Sequence, residues 1–177
     1  DGLSGTGAAG ATADWSDNSL IQGWYAYSTR TGGTFTPGPP LKYYIDDGSF
    51  ATGGAGLRSY GSLTTGQSSP STDRSLGEMS STDTSFAYSF GVRLINNTGQ
   101  SVNSFSISYR GEEWRQNTGP DGLIFEYQVG ALSLASGTWT EVPALDLFPL
   151  VLGAVGPLDG NSPGNFAKKS SSINISV

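Results

Sequence analysis

The chain has no cysteine and no histidine among its 177 residues, one methionine, and only 14% charged side chains. Without cysteine there are no disulfides, no zinc–thiolate sites and no thiol nucleophile. Without histidine, the commonest general base and the commonest transition-metal ligand are both missing. Nine Lys and Arg against fifteen Asp and Glu give a net charge of −6, and the isoelectric point is near 4.4. No basic patch is available to neutralise phosphates, so neither nucleic acid nor an anionic membrane surface is an expected partner. Long apolar runs are absent as well. The most apolar stretch, Pro143 to Val155, is broken by Asp146, Pro149 and Gly153 and is too short to cross a bilayer.

What the chain has in quantity is glycine, twenty-six residues of it, with serine, threonine and eight tyrosines. Such a composition describes a turn-rich all-β protein of short strands, and the length suits one domain burying roughly 70% of its unfolded surface. The clearest pattern lies between Phe86 and Arg115. Phe86, Tyr88, Phe90, Val92 and Leu94 alternate with smaller residues, Asn96-Asn97-Thr98-Gly99 interrupts them, and Phe105, Ile107 and Tyr109 resume the alternation. A period of two around an Asn/Gly turn predicts a long β-hairpin. Further strands are expected over Ile21 to Tyr27, Leu41 to Ile45, Leu57 to Tyr60, around Leu76, Leu123 to Val129, Gly137 to Val142, and Ser172 to Val177. A loop rich in Pro and Gly fills residues 30–40. Strands punctuated by turns about every ten residues predict a two-sheet sandwich of the immunoglobulin or jelly-roll kind.

Residues 1–13 form an extension ahead of a single domain over 14–177. Their composition is that of a flexible leader. Yet Leu3, Gly5, Gly7, Ala9, Ala11 and Ala13 fall on odd positions while Ser4, Thr6 and Thr12 fall on even ones, so a strand here has a small apolar face and a polar one. The chain opens on Asp1 with no positively charged leader, as a processed mature protein does.

Glu112 and Glu113 follow a strand and Glu126 lies on another, and paired carboxylates serve glycoside hydrolysis. Adjacent strand residues face opposite ways, however, and the expected role is structural: a glutamate bonded to Arg74, Arg93 or Arg115, with Trp114 beside it. No catalytic residues and no enzyme activity are expected. Turns at Asp14, Asp17, Asp46, Asp47, Asp146 and Asp159 carry oxygen ligands of the kind calcium takes, but not at the spacing of an EF-hand, and Asx turns alone account for them. No other metal or cofactor is implied. Trp15, Trp24, Trp114 and Trp139 are either core residues or a platform for stacking sugars. Asn96-Asn97-Thr98 and Asn174-Ile175-Ser176 match the N-glycosylation sequon.

Several phrases taken together resemble a secreted bacterial β-sandwich module of unassigned function, found in proteins with PEP-CTERM-type sorting signals and beside extracellular nuclease domains. They include Trp15-Ser16-Asp17-Asn18, Gly23-Trp24-Tyr25-Ala26, Thr72-Asp73-Arg74-Ser75-Leu76-Gly77, Phe90-Gly91-Val92-Arg93-Leu94 and Tyr109-Arg110-Gly111-Glu112-Glu113-Trp114-Arg115. Phe125 to Ala131, Trp139 to Asp146 and Leu158-Asp159-Gly160-Asn161 extend the likeness over residues 15–177. The resemblance implies an extracellular sandwich and brings no catalytic residues. It also implies one or two further strands beyond the equivalent of Val177, and a sandwich lacking them has an open groove and an unpaired edge.

The expectation that follows is a self-assembling subunit of an extracellular, cell-surface fibre. Copies of the chain join in a helical homopolymer by donor-strand exchange, with the odd-numbered leader residues of one copy entering a groove formed by Phe105, Ile107, Ile173, Ile175 and Val177 of another. An extracellular carbohydrate-binding or adhesive module, bound to surface glycans through tryptophan, is the alternative.

Overall fold

A computed structural model describes residue 3 and residues 8–29, 42–51, 55–62, 73–80, 87–117, 119, 121–153 and 155–175. The expectations for Gly5, Gly7 and Val177, and for the loop at 30–40, lie outside the described residues. The described strands are β1 (Thr12–Asp14), β2 (Trp24–Ser28), β3 (Lys42–Asp46), β4 (Gly56–Tyr60), β5 (Ser75–Met79), β6 (Tyr88–Val92), β7 (Ser104–Glu112), β8 (Arg115–Gln116), β9 (Glu126–Tyr127), β10 (Thr140–Glu141), β11 (Gly156–Pro157) and β12 (Phe166–Asn174). A single 3₁₀ turn, Pro143–Leu145, is the only helical piece among them. The protein is all-β, with several sheets packed together as in a sandwich.

One sheet has four strands in the order β1-β3-β4-β5. Its middle pair, β3 and β4, runs parallel, whereas β1 and β5 are antiparallel to their neighbours. Tyr43 and Ile45 of β3 and Leu57 of β4 point to one face. There they meet Trp15, Ala26 and Leu3, with Trp24, Leu76 and Phe90 packed around them, so the β2–β6 pair forms the opposing layer. Alternation at period two sends Tyr44, Asp46, Arg58 and Tyr60 to the other face. That face is covered too: the Tyr60 ring stacks on Trp114 at 6.3 Å with the planes 7° apart. Cover on both sides explains why all five residues of β4 are buried.

The expected hairpin does not form. β6 pairs with β2, and β7 pairs along nine residues with β12. Its turn is nevertheless well made: Asn96 Oδ1 accepts from the Thr98 amide at 3.0 Å and the Thr98 hydroxyl at 2.6 Å, and Gly99 has φ +72°. Local turn chemistry is satisfied while long-range pairing takes the two strands to different partners. The final strand starts earlier than its Ile173/Ile175 alternation announced, because Ala167, Lys169 and Ser171 continue the inward row. The expected strand over Leu123 to Val129 shrinks to two residues plus a bridge between Leu123 and Leu147.

The β7–β12 ribbon is tied to the four-stranded sheet by side chains. Glu112 Oε2 accepts from the Ser75 hydroxyl at 2.6 Å and from the Trp114 indole at 3.0 Å, while its other oxygen lies 3.1 Å from Arg110. Tyr109 stacks on Phe125, and Gly111 leaves room for Leu147, which would lie 2.4 Å from an added Cβ.

Candidate functional site

At its described residues the donor segment is docked, and on its own chain. Gly10 donates to the Ile45 carbonyl at 2.9 Å, and Ile45 donates to the Ala11 carbonyl at 2.8 Å. β1 then pairs with β3 in the register Thr12↔Tyr44, Ala13↔Tyr43, Asp14↔Lys42, with an exposed ion pair of 3.3 Å between Asp14 and Lys42. Leu3 is 8% exposed inside the core cluster, and Ala11 and Ala13 pack against the same cluster. Among the described leader residues, Leu3, Ala11 and Ala13 meet the core, and Thr12 and Asp14 are exposed. Ala9 is half-buried.

The expected acceptor is a different surface. Ile173 is buried and Phe105, Ile107 and Ile175 are half-buried, but they belong to the β7–β12 ribbon, whereas the leader sits on the β3 edge. β3 offers what the leader needs: an open edge beside a core that small residues can approach closely. Each strand of the ribbon has only one strand neighbour among the described residues.

The slot is backed by a buried polar layer that sequence reasoning missed. Asp46 and Arg58 are both completely buried and form an ion pair through Asp46 Oδ2 and Arg58 Nη1. Asp46 Oδ1 accepts from the amides of Gly48 at 2.8 Å and Phe50 at 3.2 Å, which shapes the turn after β3. The Arg58 guanidinium carbon lies 5.1 Å from the Tyr44 ring centre and 5.4 Å from that of Phe50. An arginine amid Leu57, Ser59 and Tyr60 was the one visible hint, since a charge in a buried strand demands a partner.

The expected bond from a glutamate to Arg74, Arg93 or Arg115 is not the one formed, and these residues take other partners. Arg74 donates to the Ser59 hydroxyl at 2.9 Å and to the carbonyls of Gly61, Asp46 and Ser59, and burial lowers its pKa. Arg115 donates to the Gly48 carbonyl at 2.8 Å. Glu113 accepts from the Leu150 and Val151 amides at 2.6 and 2.8 Å. Glutamate pairs instead with Arg110, through Glu112; Arg93 contributes a backbone bond to Gly23, and its side chain is exposed. Burial pushes the Tyr60 hydroxyl well above its ordinary range and raises that of Tyr109.

Of the other candidates, Glu126 stands opposite Glu141 on an exposed strand pair. The turn aspartates are engaged locally: Asp17 caps the Trp15 indole and the Ala26 amide, Asp47 binds Ser49, Asp146 binds the Phe125 amide, and Asp159 binds Asn161 and Ser162. Among the described residues no three metal-ligating side chains converge. Trp15 and Trp114 are buried, and Trp24 stacks on Phe90 at 6.4 Å, which leaves half-buried Trp139 as the remaining stacking surface. No protein-family model, curated protein or solved structure matches the chain.

Proposed function

We propose that this chain is a structural subunit of an extracellular filament in which the leader of each copy occupies the β3 slot of the next. The observation that carries the reading is the seating of the leader: an edge strand held mainly by backbone hydrogen bonds, anchored by Leu3 in the core. Each ladder bond contributes about 1 kcal/mol and Leu3 burial about 2 kcal/mol, and a neighbour's leader would make the same contacts. The choice between cis and trans then rests on the connection and on effective concentration. Asp14 ends β1, and the next residue, Trp15, is already fixed in the core at 2% exposure. In an exchange Trp15 would therefore travel with the leader into the neighbour's core, and the hinge would follow it. Head-to-tail exchange is a heterologous contact, which propagates into a fibre when its rotation does not close a ring. Leu94, Ile95, Leu132 and Leu152 are each at least 65% exposed, apolar surface that neighbouring copies would cover. The immunoglobulin-like or jelly-roll topology and the cell-surface location belong to the same reading.

Electron microscopy of the purified chain with and without residues 1–11 tests it. Filaments from the full chain that vanish on truncation, with a soluble and less stable domain remaining, are the expected result. A full chain that stays monomeric at high concentration, or a truncated one that still forms filaments, would overturn the reading.

A further inference from the structure

Among the described residues of the leader, Gly10 has a backbone that side chains rarely adopt. Gly10 has φ +90°, and a Cβ placed on it would lie 2.4 to 2.7 Å from three carbons of the Phe50 ring. That ring has little freedom to retreat. Its centre is 5.5 Å from that of Tyr44, its backbone amide is held by Asp46, and Arg58 lies over both rings while paired to Asp46. Arg58 also donates to the Phe50 carbonyl at 3.4 Å.

From this geometry we infer that Phe50 reads the leader and fixes its register, admitting a strand only where a glycine passes beneath the ring. A slip of two residues would bring Ala8 or Thr12 under Phe50, and either carries the Cβ that the site excludes. Gly7 and Gly5 lie three and five residues from Gly10, both odd numbers, so using either would turn Ala11 and Ala13 away from the core. Gly2 keeps the faces but is eight residues away, and that slip gives up the Leu3 anchor. A leader otherwise low in information therefore has one seating. In its bearing on a neighbour's leader the inference rests on the filament reading: the same ring would select Gly10 in trans.

Backbone amide exchange on the full chain tests the lock, because the Ile45 amide is bonded to the Ala11 carbonyl. Gly10→Ala should speed Ile45 exchange by about tenfold or more while β4 amides keep their protection. Gly99→Ala is the control: φ is +72° there with nothing within 4 Å of the added Cβ, and Ile45 exchange should not change. Adding Phe50→Ala to Gly10→Ala should slow Ile45 exchange again. Wild-type exchange in Gly10→Ala, or identical exchange in the single and double variants, would overturn the lock. If Gly10→Ala frees Ile45 and filaments persist unchanged, the lock stands and the filament reading fails.

Discussion

Asp46 and Arg58 carry opposite charges at complete burial and pair with each other, while Asp46 also accepts from the amides of Gly48 and Phe50. Desolvation makes such a pair weak evidence of net stability, yet removing one partner strands the other charge in a dry interior. Asp46→Asn should therefore cost about 3–5 kcal/mol in urea denaturation, and replacing both residues by Leu and Met should cost less than the single change. Glu78 is a different case. It stands opposite Leu57, and burial, reinforced by the Asp121 carboxylate, raises its pKa from 4.5 to about 7. Between those values the folded chain keeps a proton that the unfolded chain has lost, so this group's contribution to stability is full below pH 4.5 and is lost as pH rises through 7. Thermal melts of Glu78→Gln should show a flatter dependence across that window; an unchanged slope would remove Glu78 as its source.

At the scale of elements, what could be read in advance was whatever local periodicity decides. β2, β3, β4 and β5 lie close to their alternating stretches, and the leader's odd-even split predicted which side of Ala11 and Ala13 meets the core. Pairing was not legible. Phe86 to Tyr109 looks like one hairpin because the turn at Asn96 to Gly99 is chemically sound, but β6 and β7 each have a better partner far along the chain, β2 and β12. Local sequence cannot weigh those distant edges, and for the same reason it set the leader against Ile173 and Phe105 rather than against β3. Nor could it see that Gly10 and Phe50, forty residues apart, share one contact. A structural role was expected for one glutamate, with Glu113 in the network, but the ion pair falls to Glu112 and Arg110, a pairing missed because residues two apart on a strand share a face only once the strand is known.

For the whole molecule, the question is whose leader fills a given slot. Every contact described between the leader and β3 can be made within one chain or between two, and the same chemistry serves both. The 177-residue chain lacks cysteine, so a pair placed at Asp14 and Lys42, opposite each other in the β1–β3 register, has no competing thiols within it. The most direct measurement is a denaturing, non-reducing gel of Asp14→Cys/Lys42→Cys protein oxidised after assembly. Exchange between copies predicts a ladder of covalent oligomers that collapses on reduction. A single band at monomer mass, with the disulfide mapped inside one chain, would contradict it.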